Sequence, residues 1–543
     1  MSTSGSGLTR EPWFQNRSTA GIEPYSGPWN VEAAVHLLRR TSFGPLASEV
    51  SSAVSMSLDR VLPTILEDRA PPAPPVDPTT GQTWIDRPFD STNEGRHDGY
   101  LKAWWMGLMT TQGTSIREKM VLFWHNHFAV ENDTVQDSRL MYVQNALLRR
   151  HALGNIKELA RAITVDPAML VYLNGFRNRG DGRNIPDENY GRELQELFTI
   201  GKGPQLGPGN YTNYTEQDVK AAARVLTGWR VNGYRDTRSS SISSYFDSAW
   251  HDKTDKEFST AYRNTRITGG IDGRRETDDL IEMIFRQEET AKFLCRKLYR
   301  WFVYYDIDSA VEENVIVPLS NLMRSSGYQV RPVLDALFRS AHFFSETSRG
   351  CVVKTPVDFV AGTLRTMEIV TPSLTTQTLL YYSLMSNLRS TAATLQMNPM
   401  EPPNVAGWPA YYQTPDFYRL WINTVTLPVR WGYTDSLVNG LSVSGTRFAI
   451  DSIALARRTA NPGDPYLLAE EMAASLFPVS LTTVQGDYLV RNVLMAGLPD
   501  YEWTGIWGSY VSDPNNTQKR NAVATRLNTL LKFMMRMAEF ELT

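Results

Sequence analysis

The chain has 543 residues, of which 42% are hydrophobic and 21% are charged, and its net charge is −3. This composition is typical of a globular protein, and the length suffices for one large domain or several smaller ones. The sequence has no long Lys/Arg block and no run of about 18 apolar residues, which argues against a nucleic-acid partner and a membrane span. Two cysteines, Cys295 and Cys351, exclude a disulfide framework, and a single bridge between them stays open only for an exported protein.

Residues 1–28 are rich in Ser, Gly, Thr and Pro and are predicted to form a flexible arm. They contain neither the basic nor the apolar segment of a secretory signal. We therefore expect cytoplasmic residence, or residence in the periplasm if the chain is exported together with a signal-bearing partner. Residues 29–543 are predicted to form a mainly helical domain, with sub-domains expected at 29–275 and 276–543.

Helical periodicity dominates this domain. Asn30 caps a predicted helix over 31–40, which Gly44-Pro45 ends, and the His36, Arg39 and Arg40 side chains on it are interpreted as structural. The pattern predicts further helical segments at 100–128, 135–150, 156–164, 167–174, 216–229, 276–344, 353–370 and, as several amphipathic helices, 414–543. Residues 230–275 lose this period and are expected to form a loop with a short hairpin. The predicted fold class is therefore mainly α, a large multi-helix chain with long irregular loops and at most minor β structure.

Two histidines stand one residue apart in the aromatic run FWHNHF, residues 123–128, of a chain with only seven histidines. Imidazole is a good ligand for transition metals. On an α-helix, positions i and i+2 lie about 200° apart, so both imidazoles reach one metal only if the segment is extended or the helix ends at Trp124. We treat His125 and His127 as candidate metal ligands; the alternative is that they pack in the core or cap a helix.

A second stretch, rich in charged and polar residues, follows at residues 187–198, DENYGRELQELF. Glu193 and Glu196 share a helix face at i,i+3 and are predicted to complete a metal site with mixed nitrogen and oxygen ligands. His251, in the irregular region, is a further candidate ligand, although an ordinary loop histidine is the alternative.

The same stretch supplies candidate catalytic residues. Glu188 is a candidate general base and Tyr190 a redox or hydrogen-bonding group. Arg192 is spaced i,i+4 from both Glu188 and Glu196, so its guanidinium is expected to orient either carboxylate. The alternative is a salt-bridged helix surface, in which each exposed pair contributes only about 0.3–0.5 kcal/mol.

Several blocks of the chain resemble, in the right order, the signatures of the bacterial family catalogued as domain of unknown function 1800. These blocks are HLLRRTSFGP at 36–45, EKMVLFWHNHF at 118–128, DPAM at 166–169, ENYGRELQELFT at 188–199, TGW at 227–229, HD at 251–252 and PPNVAGWP at 402–409. The resemblance covers about residues 30–540 and implies a large helical bacterial protein of no settled activity. It also implies a protein partner resembling the family of unknown function 1501, which is similar to alkaline phosphatases and sulfatases.

Together the motifs predict a metal-dependent enzyme, either a hydrolase or an oxidoreductase, that uses a divalent or transition metal. In a hydrolase the metal would activate water and Glu188 would accept its proton. The alternative is a non-catalytic envelope or assembly protein, in which the polar motifs are structural networks that satisfy buried groups. The sequence defines neither the metal nor the substrate nor the oligomeric state.

Overall fold

Helices form most of the computed structural model, which describes residues 18, 20–182 and 184–543. The chain is 55% helical, and its strands form only two-stranded sheets. The predicted fold class, mainly α with minor β structure, is therefore confirmed. Residues 1–17 and 19 of the predicted arm lie outside the described residues.

The helices are numbered in chain order. Those of the first half are α1 Val31–Thr41, α2 Ala47–Ser55, α3 Leu58–Ile65, α4 Glu94–Thr111, α5 Arg117–His127, α6 Asn132–Val135, α7 Ser138–Arg150, α8 Ile156–Thr164, α9 Pro167–Tyr172, α10 Asn189–Glu193 and α11 Glu216–Val225. Those of the second half are α12 Gly273–Phe285, α13 Glu288–Phe302, α14 Ser309–Val311, α15 Val317–Ser325, α16 Val330–Arg339, α17 Pro356–Thr366, α18 Thr378–Thr394, α19 Thr426–Asn439, α20 Ser452–Ala456, α21 Pro465–Leu476, α22 Thr483–Tyr488, α23 Tyr501–Ser512 and α24 Thr517–Met534.

Irregular helical segments connect several of these elements. The π-helical segments are Leu194–Thr199, Glu312–Ile316 and Leu489–Leu494, and the 3-10 segments are Gly175–Arg177, Thr260–Tyr262, Glu346–Ser348, Pro409–Tyr411, Phe417–Trp421 and Ala538–Glu541. Among the residues that the structure describes, none of the helices combines the length and the apolar composition that a membrane crossing requires.

The strands pair as antiparallel hairpins. They are β1 Gln205–Gly207 with β2 Asn210–Tyr211, β3 Trp229–Asn232 with β4 Ser243–Phe246, β5 Lys256–Glu257 with β6 Arg266–Ile267, and β7 Leu441–Val443 with β8 Thr446–Phe448. The β3–β4 pair is the hairpin expected within residues 230–275.

Helix α1 is buried along most of its length. The Asn30 side chain accepts a hydrogen bond from the Ala33 amide at 3.0 Å, as the capping prediction requires. After the helix ends, Gly44 adopts a positive φ of 80°, and a Cβ there would lie 2.8 Å from the Cα of Gly362. This close approach brings the end of α1 directly against α17.

The segment before α1 is attached to the fold. The Tyr25 amide donates to the Arg339 carbonyl at 2.7 Å, and the Ala341 amide donates to the Glu23 carbonyl at 2.8 Å. The Tyr25 ring also lies 4.4 Å from the ring of Phe344. The described part of the predicted arm therefore includes residues that pack against the end of α16.

The long helix expected over 100–128 is divided into α4 and α5. The chain turns between them, and Gly113 there has a φ of 69°, a conformation that glycine adopts without steric cost. Helix α5 then continues through His127, and the Phe128 amide donates to the Trp124 carbonyl at 2.8 Å. Both histidines of the HNH motif are therefore helical.

A buried ion pair holds α5 against α7 and α4. Arg149 donates to both carboxylate oxygens of Glu118 at 2.7 Å, and the Trp105 indole donates to one of them at 3.1 Å. Arg149 also donates to the Asn145 side chain at 2.7 Å. Because both charged side chains are almost fully buried, each depends on the other for compensation.

We expect Arg149→Met to lower the melting temperature strongly, because the buried Glu118 carboxylate loses its two direct hydrogen bonds to a cation and, among the described residues, keeps only Arg117 Nε, 3.8 Å away, as a counter-charge. The expected loss is about 3–5 kcal/mol. The control is Arg161→Met, since Arg161 pairs with the more exposed Glu158 and Asp278 and should cost below about 1 kcal/mol. Thermal melting of the two variants decides, and equal shifts would contradict the assignment.

Candidate functional site

The two histidines of the HNH motif lie in the aromatic core. Since α5 continues through His127, the condition for a shared metal, an extended segment or a helix end at Trp124, is not met. The His125 ring lies 5.2 Å from the Trp105 ring, and His127 Nε2 makes a 2.9 Å hydrogen bond with the Phe198 carbonyl. Burial lowers the pKa of both imidazoles to about 3, so both are neutral at physiological pH.

Glu196 has protein partners of its own. It accepts from Lys202 at 2.6 Å and from the Tyr214 hydroxyl at 2.7 Å. The predicted pairing with Arg192 assumed α-helical spacing, but the helix is π-helical over Leu194–Thr199. In a π-helix the backbone hydrogen bonds run between residues i and i+5, so the side chains of residues i and i+4 no longer lie one above the other on the same face.

Arg192 makes the expected contact with Glu188, but its closest partner is Glu216 and not the expected Glu196. It donates to both carboxylate oxygens of Glu216, at 2.6 and 2.9 Å, and to Glu188 at 3.3 Å. These side chains are each about one-third exposed, so the cluster is a surface network. The Tyr190 hydroxyl is buried and donates to Thr164 at 3.0 Å, and burial raises the pKa of this phenol.

His251 belongs to a fully buried polar network. Its Nδ1 lies 2.9 Å from the Thr227 carbonyl oxygen, and its Nε2 lies 3.1 Å from Glu276 Oε1. The other oxygen of Glu276 accepts from Lys256 at 2.5 Å. Both ring nitrogens are thus engaged by the protein in this arrangement.

One group of possible metal ligands forms within the described ranges of the chain. Single ligand atoms of Glu131, Asp133 and Glu401 all lie within 4.8 Å of one another. Lys102 is nearby, where its ammonium pairs with Glu401 and with Asp98. None of the five predicted metal ligands is in this group, and a metal bound by those five residues remains a prediction.

A small cavity with an unusual charge balance lies where α1, α5, α13 and α17 meet the segment 409–421. Its volume is about 30 Å³. Four cationic side chains and one carboxylate line it: Arg39, Arg40, Lys119, Arg300 and Asp358. Lys119 forms an ion pair with Asp358, so the lining carries an excess of positive charge.

Several polar atoms of this lining are buried and find no hydrogen-bond acceptor or donor among the described residues. They are Arg39 Nη1, Arg40 Nε, Tyr411 Oη, Trp421 Nε1 and Thr543 Oγ1. Every one of them can donate a hydrogen bond. These atoms are inaccessible to water in this structure, so a ligand contacts them only after the surrounding side chains move.

The two arginines are fixed by backbone carbonyls. Arg40 donates to Ser348 at 2.7 Å and to Val303 at 3.2 Å, and Arg39 donates to Ser475 at 2.8 Å. Carbonyl dipoles orient these guanidinium groups but do not neutralise them. In agreement with this, burial lowers the pKa of Arg39 to about 10 and lowers the pKa of Lys119.

Aromatic rings form much of the remaining wall. The Trp301 ring stacks on Tyr411 with centroids 4.3 Å apart, and the Tyr305 ring lies 4.9 Å from Phe417 and 5.2 Å from Tyr418. These rings keep the local dielectric constant low, and an anion is attracted to nearby cations more strongly in such surroundings than in water.

Sequence reasoning interpreted Arg39 and Arg40 as structural and did not single out Asp358, Tyr411 or Trp421. The sequence did contain one indication of this site: two adjacent arginines on a helix with an apolar period. If both side chains are buried, their charges need hydrogen-bonding or charged partners. The other three residues stand far apart in the chain, and only the packing of α1 and α17 against segment 409–421 brings them together.

The fold and the cavity define a mainly helical protein with a buried cationic site. The family model described as "Protein of unknown function (DUF1800)" matches residues 36–542, so the chain belongs to this family, as its motifs predicted. No curated protein and no solved structure matches the chain.

Glu193 provides a pH-dependent test of the π-helical region. Burial, and then the charge of Glu196, raise the pKa of Glu193 to about 7. Because this folded-state pKa lies above the unfolded value, the stability that protonated Glu193 contributes is lost as the pH rises through 7. A metal ion bound at Glu193 would lower its pKa and reverse this sign.

We expect Glu193→Gln, which stays neutral, to lose less thermal stability than the wild type between pH 5 and pH 8. The difference should be on the order of a few degrees. Glu502→Gln, at an exposed position on α23, is the matched control and should follow the wild type. A steeper pH dependence in Glu193→Gln than in the wild type would contradict the assignment.

Proposed function

We propose that this chain binds an organic anion whose oxyanion group occupies the cationic cavity between α1, α5, α13 and α17. The observation that supports this most directly is the set of buried donors without an acceptor in the described protein, which line one cavity together with excess positive charge. A phosphate, sulfate or carboxylate group supplies both the acceptors and the negative charge.

Water alone satisfies only part of this requirement. A cavity of about 30 Å³ accommodates roughly two water molecules, since each needs about 10–15 Å³. Their oxygens can accept hydrogen bonds, but they leave the excess charge of the arginines uncompensated, and buried charge without compensation is costly. An oxyanion of similar size offers several acceptor sites and a counter-charge at once.

The roles of the side chains follow from their positions. Arg39 and Arg40 each have one buried guanidinium nitrogen without a described acceptor, and charge-assisted hydrogen bonds from arginine to an oxyanion are among the stronger polar contacts. The Tyr411 hydroxyl and the Trp421 indole add neutral donors that select for an acceptor. The Lys119–Asp358 pair adds no net charge but fixes the wall between α5 and α17.

We expect Tyr411→Phe to weaken anion binding without destabilising the fold, because the hydroxyl it removes has no described partner. The affinity for inorganic phosphate or acetate, measured by isothermal titration calorimetry, should fall by about tenfold or more, the worth of a hydrogen bond to a charged group. Tyr262→Phe is the matched control, since Tyr262 also has a buried hydroxyl without a described partner but does not line the cavity.

Two results would contradict the proposal. One is that the wild type binds none of the anions. The other is that both tyrosine variants bind phosphate with the wild-type affinity while their melting temperatures are unchanged.

The metal-dependent enzyme predicted from the sequence is the second proposal. Its support is the group formed by Glu131, Asp133 and Glu401, because carboxylate oxygens are the ligands of hard divalent cations. This group includes residues just after the HNH motif and just before the PPNVAGWP motif. Lys102 competes with a metal for Glu401, which favours weak binding.

The metal content of variants distinguishes the carboxylate group from the histidine site as the place where a metal binds. If the carboxylate group binds a metal, Glu401→Gln should lose it and His127→Ala should retain it. If the histidine site binds a metal, the reverse is expected. Elemental analysis of wild type grown with Fe, Mn, Cu and Zn is the measurement, and equal content in wild type and both variants would contradict both assignments.

The partner similar to the family of unknown function 1501 also remains a proposal, and it is supported by the family resemblance. Co-purification of the two chains from cells that express both would test it. Recovery of this chain in the periplasmic fraction only when the partner is present would support joint export.

A further inference from the structure

A large groove adjoins the cationic cavity. It lies between α1, α21 and α22 and has a volume of about 600 Å³, twenty times that of the cavity. Arg39 and Thr543 line both spaces. A ligand that occupies the groove therefore has the Arg39 guanidinium at its inner end.

The walls of the groove are mainly apolar. The apolar residues include Val31 and Val35 from α1, Ala473 and Phe477 at the end of α21, and Val479 and Leu481 in the connection to α22, while Ser480, Thr482 and Thr483 are among the polar residues of the lining. Val31 and Val479 are exposed at 55% and 37% of their surface, so this apolar lining continues to the protein surface. Covering such a surface with a hydrocarbon chain is favourable.

The charged side chains of the groove differ in their exposure. Glu32, Glu470 and Asp487 are its acidic residues, and Glu32 and Glu470 are exposed, with Glu32 paired to Arg349. His36 and Arg39 lie at the buried side. His36 is neutral there, because burial and the neighbouring Arg40 charge lower its pKa well below the usual value. The groove therefore has more acidic than basic side chains, and Arg39 is the one charged cation among the described residues of its lining that attracts an anionic group.

We propose that the ligand is a single-chain anionic amphiphile, with its hydrocarbon chain in the groove between α1, α21 and α22 and its oxyanion at Arg39. This inference rests on the proposed function, since it places the same anionic group in the cationic cavity. It adds that most of the ligand is apolar. The relative sizes support this, because the cavity accommodates only the head group.

The test measures the affinity of the full chain for acetate, hexanoate, octanoate and decanoate by isothermal titration calorimetry. Affinity should rise with chain length, by at most on the order of fourfold per methylene group, from about 0.8 kcal/mol per methylene group buried. Neutral 1-decanol should bind at least tenfold more weakly than decanoate. Decyl phosphate and decyl sulfate identify which oxyanion is preferred.

Two tryptophan substitutions test whether the hydrocarbon chain of the ligand lies in the groove. Ala474→Trp places a large ring at an exposed position on α21 that lines the groove, and Ala522→Trp makes the same change at an exposed position on α24 away from it. We expect Ala474→Trp to abolish the dependence on chain length and to leave acetate binding unchanged. Ala522→Trp should behave as the wild type.

The outcomes distinguish the two proposals. If acetate and phosphate bind and depend on Tyr411 but chain length has no effect, the amphiphile inference is overturned and the proposed function stands. If no anion binds, both fail. Equal affinity for decanol and decanoate, unchanged decanoate binding in Ala474→Trp, or binding to anionic vesicles without binding of monomeric decanoate would each overturn the inference.

Discussion

The burial of Arg39 and Arg40 is the constraint around which the centre of this protein is organised. Two adjacent guanidinium groups are expensive to remove from water unless polar groups surround them. The protein meets this cost with carbonyl oxygens of Val303, Ser348 and Ser475, which come from distant parts of the chain. Helix α1 therefore acts as a hub that fixes the ends of α13 and α21 relative to each other.

Backbone carbonyl oxygens satisfy hydrogen-bond donors of Arg39 and Arg40 but do not neutralise the positive charges of the two side chains. Carboxylates neutralise the other deeply buried cations considered above: Glu118 faces Arg149, and Glu276 faces Lys256. At Arg39 and Arg40 the partners are neutral dipoles, and Asp358 is already paired with Lys119. This contrast is the reason why we assign a ligand to the site at Arg39 and Arg40 and not to the Glu118 and Glu276 networks.

Local features of the fold could be predicted from the sequence, because short-range physics determines them. The Asn30 cap, the start of α11 at Glu216 and the hairpin within residues 230–275 depend on neighbours a few residues away. The periodicity up to Phe128 predicted that the helix continues through His127, as α5 does. An earlier end at Trp124 stayed open, because polar residues follow the motif.

The candidate site was harder to predict for a related reason. The glutamate motif was interpreted with α-helical spacing, and the π-helical segment Leu194–Thr199 changed which residues face one another. The histidines of the HNH motif are conspicuous by their rarity, but their aromatic neighbours already indicated burial, where imidazole is neutral and needs only one or two partners. The cationic cavity uses residues from six separated segments, and no spacing rule in a single sequence connects them.

We assign a ligand to this cavity because unpaired donors and cations without a counter-ion coincide there, whereas buried atoms such as Tyr262 Oη and Trp431 Nε1 lack a described partner without such a charge. Leaving one buried donor without an acceptor costs about 1–3 kcal/mol, and several such atoms together approach the 5–15 kcal/mol that a folded domain has in total. Replacing Tyr411 by phenylalanine would remove one of these costs by a single change. Tyr262 shows that a buried hydroxyl without a described partner does not by itself make a site. Tyr411 differs because two arginines without a counter-ion line the same cavity, so an acceptor that carries negative charge would compensate both the hydroxyl and the cations.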